Sequence, residues 1–161
     1  MTTAPVLTRD IGQAERTMRA LLGRLLDEAG LSFPEWTVLN FLDGAGPLAR
    51  SELVRRQVDG RVVPEAAARA TVDGLRSRGL LAPADELSGD GEDPRLALAA
   101  AGEAVYRPVR RAVAGITDEL YGDLPPADLE ATHRTLAEIT RRANARLGIT
   151  PPRRGAFLGD T

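Results

Sequence analysis

Between Ser51 and Leu81 the chain reads SELVRRQVDGRVVPEAAARATVDGLRSRGLL, and few folds accommodate this stretch. Ser51 can cap a short helix, because its hydroxyl oxygen can accept from a backbone N–H that lacks a helical partner. Leu53, Val54 and Val58 give that helix one apolar face, and Gly60 ends it. Pro64 suits the first turn of a second helix, where its missing N–H costs nothing. Ala68, Val72 and Leu75 then recur at spacings of four and three, the helical core period. Gly79 can adopt the left-handed conformation that closes a helix. Two short helices with a Gly-containing turn are either a helix-turn-helix, whose second helix could enter a DNA major groove, or a plain helical hairpin in a core.

The flanking segments supply a mainly α frame. Thr8 is placed to cap a long helix from about Arg9 to Ala29, with Ile11, Ala14, Met18, Leu21, Leu22, Leu25 and Leu26 on one face. Residues 1–7 are expected to fray, and Gly30 stops the helix. Ser32-Phe33-Pro34-Glu35 is a capping box, serine at the cap and glutamate three residues on. The helix it starts runs to about Asp43, with Trp36, Leu39 and Leu42 on one face, before Gly44-Ala45-Gly46-Pro47 breaks it. After the central pair, Leu80-Leu81-Ala82 reads as a strand, residues 85–94 as a polar turn, and Arg95–Ala99 as the returning strand. That hairpin stands where a winged helix carries its wing. A long helix from about Ala101 to Asp123 follows, with Val105, Val109, Val113, Ile116 and Leu120 in register. A last helix begins at Pro125-Pro126 and carries Leu129, His133, Leu136, Ile139, Ala143 and Leu147.

The expected fold is therefore a winged helix-turn-helix with a small β-hairpin wing, flanked by long N- and C-terminal dimerisation helices. Residues 1–161 form one domain: a lobe at about 31–99, a helical region at 9–29 plus 101–147, and a flexible tail at 148–161. The outer helices carry more apolar surface than one small domain needs, which points to a two-fold homodimer.

Composition narrows the function. The 161 residues contain no cysteine and one histidine, so a thiolate metal site and a disulfide framework are excluded. No apolar run is long enough to span a bilayer, and Arg9 and Asp10 interrupt the place of a signal peptide. A cytoplasmic protein with no membrane partner is expected. Gly44-Ala45-Gly46 and Gly89-Asp90-Gly91 lack the residues of a phosphate loop. No catalytic constellation, metal site or cofactor site emerges, and His133, alone on an apolar helical face, is read as a core or interface residue. All 21 basic residues are arginine, and the net charge is −2. Residues 46–81 hold seven arginines against four acids, whereas residues 82–101 hold five acids against Arg95 alone. The helical pair is basic, and the wing is acidic.

Four stretches in this order resemble the MarR (multiple antibiotic resistance regulator) family of winged helix-turn-helix transcription factors, over roughly residues 9–147. Leu31-Ser32-Phe33-Pro34-Glu35-Trp36-Thr37-Val38-Leu39 is similar to the start of the family's second helix, and Ser51-Glu52-Leu53 to that of its third. Val72-Asp73-Gly74-Leu75-Arg76-Ser77-Arg78-Gly79-Leu80 resembles the end of its recognition helix. Leu96-Ala97-Leu98-Ala99-Ala100-Ala101-Gly102 resembles its Leu-x-Leu-Thr-x-x-Gly, with alanine for threonine. The resemblance implies a homodimer on a pseudo-palindromic operator, usually a repressor, often released by a small phenolic or aromatic effector. The departure is in the wing. Where the family has Asp-x-Arg, this chain has either Asp90 and Glu92, with an acid in place of the arginine, or a shortened hairpin in which Asp93-Pro94-Arg95 is the equivalent.

Residue by residue, Arg69 projects away from the Ala68/Val72/Leu75 face, placed to contact guanine or else to pair with Glu65 one turn earlier. Arg50, Ser51, Arg55, Arg56, Arg61, Arg76 and Arg95 are candidates for positioning the protein on DNA. Glu65 and Ala66 can face base edges, while Glu65 alternatively favours the helix dipole. Leu22, Leu26, Trp36, Leu39 and Tyr106 could line an aromatic effector pocket; plain core packing is the competing reading. A winged-helix scaffold that has lost DNA binding and serves as a ligand- or protein-interaction module is the alternative function.

Overall fold

The computed structural model describes residues 4–84 and 92–148, with side chains described from residue 7 onward. In chain order the elements are α1 (Ala4–Glu28), α2 (Phe33–Ala45), β1 (Leu48–Ala49), α3 (Arg50–Asp59), α4 (Glu65–Ser77), β2 (Leu81–Pro83), β3 (Arg95–Leu98), α5 (Ala100–Tyr121) and α6 (Pro126–Arg146). The fold is mainly helical with a small wing sheet, as the sequence pattern predicts. The expected flexible tail, apart from Gly148, and most of the polar turn (85–91) lie outside the described residues.

Several boundaries move. The first helix begins at Ala4, so Thr8 lies inside it and does not cap it, and residues 4–7 are helical rather than frayed. Pro5 permits this, since a missing N–H is harmless in a first turn. The Ser32 capping box forms: the Ser32 hydroxyl accepts from the Glu35 N–H at 3.4 Å, and the Glu35 carboxylate accepts from the Ser32 N–H at 2.7 Å. That helix runs two residues past Asp43, to Ala45, and Gly46 ends it at φ 72°.

The wing is a three-stranded antiparallel sheet in the order β1-β3-β2. The expected hairpin is present, with Leu81 opposite Leu98 and Pro83 opposite Leu96. The unexpected strand is β1, where Leu48 pairs with Leu96 and Ala49 with Arg95. Two residues are too few for an alternating pattern to register.

Ser51 does not cap α3. That helix starts one residue before it, and Ser51 instead donates its own N–H, at 2.7 Å, and its hydroxyl to the carboxylate of Asp93. The first-turn donors are thus satisfied from the far side of the wing. The buried face of α3 also differs from expectation. Val58 is exposed, and Gln57, one turn beyond Leu53, takes the inward position. Its amide nitrogen donates to the Pro34 carbonyl at 2.7 Å.

In the connection, Gly60 is right-handed and Arg61 takes the left-handed φ of 54°. Pro64 sits at the cap of α4, one residue before the first turn proper. Ala68, Val72 and Leu75 are fully buried as predicted, and Gly79 closes the unit at φ 70°. The core joins these to Val38, Leu39, Leu53 and Leu96, and Trp36 lies 5.0 Å from Tyr106 of α5 between ring centroids. Gly102 brings α5 onto the carbonyl of Leu80, so that any Cβ there would fall on that oxygen. The last helix buries no residue at all, His133 included. Among the described residues no helix is long and apolar enough to cross a membrane.

Candidate nucleic-acid interface

Burial of Ala68, Val72 and Leu75 turns the opposite side of α4 outward. Glu65, Ala66, Ala67, Arg69 and Ala70 are all exposed there. Arg69 is ion-paired with Glu65 at 2.6 Å, one of the two arrangements its position allowed. Near the end of the helix, half-buried Arg76 lines a groove of about 450 Å³ with Asp73, Ser77, Leu81 and Pro83.

Three other candidate arginines, Arg50, Arg55 and Arg56, are also held by carboxylates. Arg50 donates through Nε and Nη2 to the two oxygens of Asp73, at 2.8 and 2.7 Å, tying the start of α3 to α4. That fork pulls Asp73 below the usual carboxylate range and raises Arg50 further. Arg55 and Arg56 share Glu52, at 2.6 and 2.7 Å, and Arg55 also reaches Asp59. Burial opposes ionisation of Glu52, but hydrogen bonds from Arg56 and Arg55 outweigh it and hold its pKa low. The Arg56 guanidinium lies over the Phe41 ring, 5.7 Å from its centroid. Arg61 reaches Asn144 of α6 at 3.5 Å. Arg95 donates to the Pro47 carbonyl at 2.8 Å, beside β1. Asp93, two residues earlier, is lowered by its hydrogen bonds from Ser51. Asp93-Pro94-Arg95 thus stitches β3 to α3 and β1.

Asp73, Asp93 and Glu52 are roles the sequence reading missed. So is Arg78, which pairs with Glu35 at 2.7 Å and donates to the Gly30 carbonyl, joining the end of α4 to the start of α2. Its partners lie more than forty residues away along the chain, and only the fold brings them together. A carboxylate at i−3 or i−4, by contrast, is a readable signal for Arg55, Arg56 and Arg69.

The residues expected to line an effector pocket do come together, as packing. Leu26, Trp36, Leu39 and Tyr106 are buried in the core, and only Leu22 borders open space. Tyr106 donates its hydroxyl to Asn40 at 2.6 Å and to Asp43 at 3.3 Å, and burial pushes its pKa up. Apolar clefts open instead between α1 and α5. One, of about 170 Å³, is lined by Met18, Leu21, Leu22, Leu25, Val113, Ile116, Leu120 and Tyr121. The other, of about 400 Å³, is lined by Glu28 together with Leu25, Ala29, Val105, Pro108 and Ala112. Among the described residues no group of three acids or histidines could hold a metal ion.

This arrangement has the winged helix-turn-helix fold seen in solved structures of MarR-family regulators, which match it along most of the chain. Staphylococcus aureus MarR in complex with salicylate and kanamycin superposes with a TM-score of 0.67 at 16% identity, over 90% of this chain and 95% of that one. Bordetella bronchiseptica BpsR, whose DNA binding is regulated by 6-hydroxynicotinic acid, gives 0.60 at 20% identity, over 87% and 95%. A MarR-family transcriptional regulator from Silicibacter pomeroyi gives 0.59 at 23%, over 83% and 84%. At these identities the likeness is one of fold. No family model and no curated protein matches the sequence.

Proposed function

We propose that this chain is a homodimeric, DNA-binding transcriptional regulator in which α4 enters the major groove and the wing lies beside it. The observation that carries the reading is the outward face of α4, which presents Arg69 on a helix fixed by a fully buried Ala68/Val72/Leu75 stripe. Dimerisation is supported by α6, which buries nothing, and by Leu120, Tyr121, Leu136 and Ile139, all at least 38% exposed on α5 and α6. A dimer reads two half-sites about one helical turn apart. A small effector held in the clefts between α1 and α5 would alter the spacing of the two heads, and the effector-bound state of a repressor would leave its operator.

The test is a titration against the DNA flanking the protein's own gene at two salt concentrations, together with sedimentation at micromolar protein. Tight, salt-sensitive binding by a dimer is expected, because the salt slope counts phosphates neutralised. A monomer, or no binding at low salt, rejects the reading. One observation favours the alternative of an interaction module without DNA binding: Arg50, Arg55, Arg56, Arg69 and Arg78 are each neutralised by a carboxylate of the same chain. An intact dimer that ignores duplex at every salt concentration would establish it.

A further inference from the structure

We propose that Glu65 is a positioning residue for Arg69, and that the pair makes α4 a reader of guanine flanked by thymine methyl groups. The inference rests on the DNA-binding reading above and adds what the half-site must contain. One carboxylate oxygen of Glu65 accepts from both Nε and Nη2 of Arg69, at 3.2 and 2.6 Å. Those two nitrogens form the side edge of the planar guanidinium. The end edge, Nη1 with the second hydrogen of Nη2, stays open. Guanine offers two acceptors, O6 and N7, on its major-groove edge, and a guanidinium fork matches them in a bidentate contact. The carboxylate therefore takes the edge that guanine does not need and turns the other one outward.

The pair engages one carboxylate oxygen of Glu65, and direct acceptance from a cytosine amine by the other oxygen is the competing role that the test below separates. In water an exposed ion pair one helical turn long orients its partner weakly. Between α4 and the floor of a groove, where water is displaced, the same charges attract more strongly.

The rest of the surface over residues 65–71 is close to featureless. Ala66, Ala67 and Ala70 are exposed and present only methyl groups. The Thr71 hydroxyl donates back to the Ala67 carbonyl at 2.9 Å, and Asp73 is held by Arg50. Small apolar side chains in the major groove find their partner in the C5 methyl of thymine. One fork and three methyl groups predict a half-site with one required G·C pair among thymines.

Full-length protein would first select its sites from duplexes with a randomised centre. The selected duplex would then be titrated after exchange of the chosen guanine for 7-deazaguanine, which lacks the N7 acceptor, and of the flanking thymines for uracil, which lacks the methyl. Loss of N7 should weaken binding roughly 10-fold and loss of each methyl by a smaller factor. Arg69→Lys should keep binding random duplex yet lose the guanine preference. Glu65→Gln should bind random duplex at least as tightly as wild type, having shed a negative charge, while discriminating G·C from A·T roughly 10-fold less well. Both side chains are exposed, so unchanged circular dichroism is expected and separates reading from folding. Equal discrimination by Glu65→Gln and wild type overturns the positioning role. So does a changed preference at a neighbouring base, which would mean that Glu65 reads directly. Selected sites without a common guanine overturn the half-site. Failure of the wild type to bind any duplex at low salt rejects the DNA-binding reading itself.

Discussion

Leu39 of α2 and Ile139 of α6 are both aliphatic residues on well-formed helices, yet the first is fully buried and the second is 41% exposed. The contrast runs through the molecule. From Leu31 to Leu98 the chain closes a core around Val38, Leu53, Val72, Leu75 and Leu96, and ties its elements together with Arg50–Asp73, Arg78–Glu35 and Ser51–Asp93. The end of α5 and the whole of α6 stay open: Leu120, Tyr121, Leu136 and Ile139 are exposed, and the ion pairs of α6, such as those of Glu138 with Arg141 and Arg142, stay within that helix. The core of the lobe is closed once Leu26 of α1 and Tyr106 and Val109 of α5 join it, whereas the far end of α5 and α6 are shaped for something still to arrive, which the proposed function takes to be a second copy.

Five variants test the contrast. Leu53→Ala in the closed region should produce the largest loss, about 2–5 kcal/mol in urea unfolding, because a fully buried side chain leaves a cavity. Gly102→Ala comes next: the new methyl meets the Leu80 carbonyl, a rigid neighbour, and the expected loss of about 1–3 kcal/mol exceeds the gain in helix propensity. Asp93→Ala removes the cap of α3 from the wing and should remove about 1 kcal/mol by thermal or urea unfolding. The pH dependence has a definite sign. The folded pKa values of Asp93 and Asp73 lie below their ordinary values. Their stabilisation is present above the usual aspartate pKa of about 3.9 and disappears as pH falls through the lowered values. Asp93→Asn should flatten that acid limb in a pH series of unfolding midpoints.

The smallest effect is expected from Leu136→Ala with Ile139→Ala, within about 0.5 kcal/mol for the isolated chain. Under the dimer reading the same pair raises the dissociation constant seen by sedimentation, and its stability effect grows with protein concentration. A large, concentration-independent loss would erase the distinction between the two regions.

What could be read from the sequence follows the reach of each interaction. The Ser32–Glu35 box, the Ala68/Val72/Leu75 stripe and Gly79 act within one or two turns, and each was legible. Ser51 was legible as a residue at a helix start but not as a donor, because its acceptor lies 42 positions away. Gln57 was passed over because its residue type argues for the surface, and the Pro34 carbonyl and Thr37 hydroxyl that accept from its amide nitrogen make burial tolerable. In the candidate site, exposed Arg69 could be foreseen, as could the choice of Glu65 as its partner. The neutralisation of Arg50 by Asp73 and of Arg78 by Glu35 could not, since the helix packing that joins them is set by the core. Trp36 and Tyr106 show the opposite failure: an aromatic pair at the right helices suggests a pocket, and mutual packing at 5.0 Å fills it.

The strand order β1-β3-β2 has a consequence for the chain as it is made. The strand in the middle of the sheet is the last of the three to be synthesised, and Asp93, which caps α3, lies two residues before its start. While the ribosome is adding residues 78–92, the two helices of the reading head have already left the peptidyl-transferase centre without the wing's central strand and without the cap. Completion of the sheet is therefore timed by translation of residues 93–98, and a pause downstream of that point, rather than within the helical pair, would give the nascent lobe time to close before α5 and α6 emerge.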